Sequence, residues 1–157
     1  MTPMTAMHRD ADALRPILVR TLNELGRFPL PLLQLMFRVA VAAVFFKSGL
    51  TKIASWELTL QLFQDEYAVP LLPVPVAATL AAATELSMPV LLVLGLGARL
   101  AALPLLGMTL VIQLFVYPEN WAEHLMWASL LLFIVTRGAG ALSLDRLVRR
   151  AVLDGGK

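Results

Sequence analysis

Three ionisable residues fall inside long apolar runs of this chain: Arg38, Glu85 and His124. A charge surrounded by hydrocarbon is costly, so each needs a partner or a task. Arg38 and Glu85 carry opposite signs. Counting about 1.5 Å per helical residue from the ends of their runs puts Arg38 about 12 Å and Glu85 about 15 Å from one boundary. The expectation is a buried ion pair facing the centre of the protein. Pro89, four residues after Glu85, has no N–H to donate to that residue's carbonyl, which frees an acceptor for Arg38 or for a ligand. Lys47 falls on the opposite helical face from Arg38 and is expected to reach toward headgroups instead.

The histidine points to a second site. His124 lies about one helical turn after Trp121, and Gln113 about one turn before Tyr117, so each sits about 5–6 Å inside the same boundary. An imidazole offers one donor and one acceptor and a carboxamide offers both, which suits the carbonyl or hydroxyl oxygens of a flat ring arriving from lipid. With Trp127 they define the ligand-binding candidates His124, Gln113, Tyr117, Trp121 and Trp127. The alternative is an interfacial histidine bonded to Gln113 or water, with no ligand. Glu123 could tune the imidazole or take a proton, or, pointing about 100° away around the helix, simply face water. Met1, Met4, Met7 and His8 form an M-x-x-M-x-x-M-H run of the soft donors that copper(I) accepts. Methionines near a chain start are common, so the expectation is no metal site, with Met4, Met7 and His8 as its weak candidates.

The elements that position these residues belong in lipid. The chain has 157 residues, 59% hydrophobic and 15% charged, with a mean hydropathy of +0.76, which is wrong for a soluble globule. The basic residues fall at the edges of apolar runs rather than in one stripe, so the pI near 9.4 does not indicate nucleic acid. With no cysteine, the chain supplies no disulfide, thiolate metal site, c-type haem attachment or thiol nucleophile, and thiol-oxidising bundles are excluded. Its two histidines, far apart, argue against a zinc or bis-histidine haem site within one subunit.

Four apolar runs are expected to cross the bilayer, over about 31–50, 74–96, 99–116 and 121–137. Gly49 and Lys52 mark the end of the first. Small residues from Ala77 to Ala83 make the second the most buried, and the turn Gly95-Leu96-Gly97 makes the second and third an antiparallel hairpin. The fourth is short and needs 117–120 to reach span length. Before the first run, Leu14, Ile17, Leu18, Leu22 and Leu25 recur at helical spacing, as in a helix lying among headgroups, and no signal peptide is recognised. After the last, Ser143 can cap a helix with Leu144, Leu147 and Val148 toward lipid and Arg146, Arg149 and Arg150 toward phosphates. The fold expected is therefore an all-α membrane protein: an antiparallel four-helix bundle over 30–140, between interfacial cytoplasmic segments 1–29 and 141–157.

Orientation follows from the Lys and Arg near the run ends. Arg9, Arg15, Arg20, Arg27, Arg99, Arg137, Arg146, Arg149, Arg150 and Lys157 fall on one side, against Lys47 and Lys52 on the other. Both termini are thus expected in the cytoplasm, with Trp56, Tyr67, Tyr117 and Trp121 in an aromatic belt at the outer interface.

Arg38, the run Lys47-Ser48-Gly49-Leu50-Thr51-Lys52, Glu85 in an alanine-rich helix, the turn Gly95-Leu96-Gly97-Ala98-Arg99, and the ending from Gly138 to Asp145 together resemble the DoxX family over about 37–146. The resemblance implies a four-helix protein of a bacterial inner membrane, often encoded beside redox partners or stress-response proteins, including metal-linked ones. The leading functional reading is a redox accessory or subunit, not a complete enzyme alone. It would bind a quinone or similar lipid-soluble molecule non-covalently, or dock a soluble or membrane redox protein, with homo-oligomers open. The alternatives are a non-catalytic assembly or anchoring subunit that recruits a soluble enzyme, and, ranked last, a small transporter.

Overall fold

The computed structural model describes residues 15–16, 18–24, 26–67 and 72–154, with side chains as far as residue 152. Every regular element among them is helical. α1 is Leu30–Ala54, α2 Trp56–Leu62, α3 Val74–Leu94, α4 Ala98–Val111, α5 Trp121–Arg137 and α6 Leu144–Asp154. Wider π-helical turns, Phe63–Tyr67 and Ile112–Val116, extend α2 and α4, and a 3-10 turn, Pro118–Asn120, leads into α5. The methionine run with His8 lies outside the described residues, as do Leu14, Ile17 and Leu25 of the N-terminal amphipathic pattern. Leu18 and Leu22 of that pattern lie on a helical stretch over 18–24 and are exposed.

Three helices, Leu30–Ala54, Val74–Leu94 and Ala98–Val116, are long and apolar enough to cross a membrane. Their outer faces carry large apolar side chains more than half exposed, among them Leu80, Leu100 and Leu110. Such a surface is stable against lipid rather than water. α5 has 17 residues, about 25 Å of rise, just short of a ~30 Å hydrocarbon core.

α1 packs along α3, α3 along α4, α4 along α5, and α5 returns to α1. Between them Val41, Phe45, Leu92, Leu105, Leu131 and Ile134 are essentially inaccessible, and Ala98, Ala101 and Ala102 let α4 approach its neighbours closely. Gly49 does not end α1, which continues to Ala54. It is a contact point: a Cβ there would meet Leu86 Cγ at 2.9 Å and Glu85 Cβ at 3.0 Å. The glycine thus sets the spacing of α1 and α3 where the buried carboxylate emerges.

At the α3–α4 turn the Leu96 amide donates to Leu91 O at 3.0 Å and the Gly95 amide to Leu92 O at 3.1 Å, with Gly95 left-handed at φ 68°. This is the glycine-terminated helix end expected at such a hairpin. The sequence after α5 folds back onto the same turn. Ser143 Oγ donates to Gly140 O at 2.7 Å and accepts from the Arg146 amide at 3.4 Å, starting α6 as expected of a cap. Asp145 accepts from the amides of Gly97 at 2.7 Å and Ala98 at 3.4 Å, so its carboxylate caps α4, where the helix dipole favours a negative charge. We call this the turn end and the opposite pole, where α2 and the π turns lie, the cavity end.

Candidate functional site

The expected pairing of Arg38 with Glu85 does not form. Arg38 is fully buried, but its Nη1 donates to Leu92 O at 3.1 Å and Val93 O at 3.2 Å, and its Nη2 donates to Leu142 O. Glu85 is held instead by Lys52, whose Nζ is 2.8 Å from Oε2 and 2.9 Å from Oε1. Ser48 bridges them, its Oγ accepting from Lys52 at 2.9 Å and donating to Glu85 Oε1 at 3.2 Å.

The reason is side-chain direction. Cα–Cβ bonds in a helix tilt toward its N-terminus. α1 and α3 run antiparallel, since Arg38 meets Leu92 while Gly49 meets Leu86. Arg38 therefore leans toward the turn end and Glu85 toward the cavity end, so equal depth of their Cα atoms does not bring the charges together. Lys52, farther along α1, leans back toward Glu85. The Glu85 carbonyl freed by Pro89 is likewise not what Arg38 uses: it takes the carbonyls at the end of α3 and that of Leu142.

This moves Glu85 to the site expected around His124. The Lys52–Glu85–Ser48 group and His124 line one cavity of about 470 Å³ at the cavity end. Much of its wall is apolar, including Phe45, Phe63, Leu80, Met108 and Ile112, and both π turns contribute to it. π turns of this kind recur at functional sites because the widened backbone re-aims side chains.

His124 and Gln113 do meet. Gln113 Nε2 donates to Pro118 O at 2.8 Å, which turns Oε1 toward the ring, where it lies 2.8 Å from His124 Nδ1. A carboxamide oxygen only accepts, so Nδ1 carries the proton, and in the neutral ring Nε2 is an acceptor. Nε2 has no hydrogen-bond partner among the described residues, in a side chain that lines the cavity. Trp127 stands beside it, its ring 5.1 Å from that of His124 and 5.6 Å from that of Phe45. Its indole N–H is buried, with no hydrogen-bond partner among the described residues. Tyr117 also lines the cavity, donates to the Glu66 carboxylate and packs edge-on against Tyr67 at 6.0 Å. That carboxylate pushes the Tyr117 phenol above its usual range, and burial does the same to Tyr67. Both stay protonated, and Tyr117 is the donor to Glu66.

Of the expected residues, then, His124, Tyr117 and Trp127 share the cavity wall, and Gln113 orients His124 from behind. Trp121 does not belong: it is 63% exposed and absent from the lining. Glu123 is exposed, at the cavity rim. Sequence reasoning missed Lys52 and Ser48. Their i, i+4 spacing on α1 was the available signal, hidden because Lys52 reads as a helix end. Among the described residues, no group of three or more His, Asp or Glu side chains is arranged to hold a metal.

No solved structure matches this chain. An uncharacterised protein of Haemophilus influenzae is 30% identical over 126 residues, covering 74% of this chain and 83% of that protein. The DoxX pattern matches residues 33–118, which carry Arg38, Lys52, Glu85 and Gln113. The match covers over half the chain and runs from α1 through α4, stopping before α5 with His124 and Trp127; this chain belongs to the DoxX family.

Proposed function

We propose that the cavity binds a lipid-soluble ring compound bearing hydroxyl or carbonyl oxygens, of the quinone class, and that the protein is an accessory or subunit of a membrane redox or stress-response system rather than a complete enzyme. The observation that carries this reading is His124 Nε2, an acceptor without a hydrogen-bond partner among the described residues, on a side chain that lines a largely apolar cavity with the Trp127 ring 5.1 Å from the imidazole. A ligand hydroxyl could donate to that acceptor while the apolar wall packs its ring. A cavity of about 470 Å³ is ample for a substituted ring.

The same reading gives the protein four spans in a bacterial inner membrane. α5 crosses as the fourth together with the 3-10 turn before it, and the segments 1–29 and 141–157 lie at the cytoplasmic face. The gathering of Arg99, Arg137, Arg146 and Arg149 at the turn end, against Lys47 and Lys52 toward the other, supports that orientation. A redox protein is the partner this role requires.

The test is the redox spectrum and solvent extract of the purified protein, with uptake of added quinone from vesicles. The reading expects retained or saturable quinone in the wild type, with sharp loss in folded His124→Leu and partial loss in Trp127→Phe. A folded protein that neither retains nor takes up quinone overturns it and leaves a non-catalytic assembly subunit.

A further inference from the structure

The opposite pole carries a second concavity, of about 650 Å³, between the start of α4, the turn after α5 and α6. Four arginines from three helices edge it: Arg99, Arg137, Arg146 and Arg149. All four are exposed, and none makes an ion pair among the described residues, where the two pairs are Arg27–Glu24 and Lys52–Glu85. The one carboxylate in the concavity, Asp145, is already committed to the amides of Gly97 and Ala98. Four guanidinium groups thus face one engaged acid. This concentration of positive charge favours an anion among them, the more so at low salt.

Two further observations say what kind of anion. Leu100, the most exposed large apolar residue among those described at 74%, forms part of the same wall, so a bare hydrocarbon surface adjoins the charges. α6 in turn exposes Leu147, Val148 and Val152 beside Arg146 and Arg149. The concavity also opens at the end of the apolar helix Ala98–Val116, the depth at which headgroups lie. Arg99 is seated there: its Nε would be 3.0 Å from a Cβ on Gly138, so the absence of a side chain at Gly138 lets the guanidinium lie against the turn. Guanidinium pairs match phosphate oxygens two at a time.

We propose that this concavity binds the phosphate head group of an anionic phospholipid, with an acyl chain along Leu100. The site is independent of the quinone-class cavity.

The experiment uses the full chain, delipidated in detergent, and measures adducts by native mass spectrometry and thermal stability on adding phosphatidylglycerol, cardiolipin, phosphatidylcholine or inorganic phosphate. The anionic lipids should bind stoichiometrically and stabilise, while phosphatidylcholine and phosphate should not. Affinity should fall about fivefold per arginine removed in Arg99→Gln and in the exposed pair Arg146→Gln/Arg149→Gln. A control of equal charge loss to that pair, Arg15→Gln/Arg20→Gln, at exposed positions outside the concavity, should leave it unchanged. Equal losses in control and test pairs would mean a diffuse basic surface and overturn the site. Equal stabilisation by inorganic phosphate would overturn the lipid assignment.

Discussion

Lys52 and Glu85 form a buried ion pair across α1 and α3, the ammonium 2.8 Å from the carboxylate, with side chains only 13% and 3% exposed. The pair forms part of the wall of the cavity that also holds His124. Both partners therefore matter to stability and to what the cavity can accept.

Removing one partner leaves the other charged and desolvated. Glu85→Ala and Lys52→Ala should each destabilise the protein by about 3–5 kcal/mol, measured as unfolding in detergent. The double change Lys52→Met/Glu85→Leu should recover most of that loss. Additive losses in the double variant would mean that the two residues act separately.

Arg38 ties α3 to the turn before α6, and Gly95 leaves room for it. A Cβ on Gly95 would collide with Arg38 Nη1 and lie 2.5 Å from Ser143 Cβ, on a backbone already at φ 68°. Gly95→Ala should cost more than the ~1 kcal/mol that left-handed backbone alone implies. Arg38→Lys should be destabilised too, because one ammonium cannot reproduce the fork that reaches Leu92, Val93 and Leu142. Wild-type stability in Arg38→Lys would show that the latch contributes little.

The Gln113 clamp predicts a tautomer. Nitrogen-15 spectra of the detergent-solubilised protein should show neutral His124 protonated on Nδ1, with His8, the other histidine, removed by His8→Gln to leave one signal. Gln113→Leu should shift the population toward Nε2–H and weaken quinone uptake along with it. A wild-type ring protonated on Nε2 would remove the free acceptor on which the binding site depends.

Reporter fusions after residues 14 and 154 should both read cytoplasmic, and one between Trp56 and Tyr67 periplasmic. Opposite readings at the two ends would mean that α5 does not cross.

What the sequence determined by itself was local. The three long apolar helices were legible because hydropathy and length are properties of contiguous residues. The Gly95–Gly97 hairpin and the Ser143 cap were legible because turn and cap chemistry is written within a few positions. His124 and Gln113 could be matched because both are measured from the one short loop that joins their helices. What only the tertiary structure decided was which charge meets which. Arg38 and Glu85 share a depth along the helix axes, but contact depends on the tilt of each side chain toward its own N-terminus, and antiparallel helices tilt them apart. Lys52 could pass for a helix end and Asp145 for a surface acid until packing brought each to a partner, Glu85 and the amides of Gly97 and Ala98, 33 and 47–48 residues away in the chain.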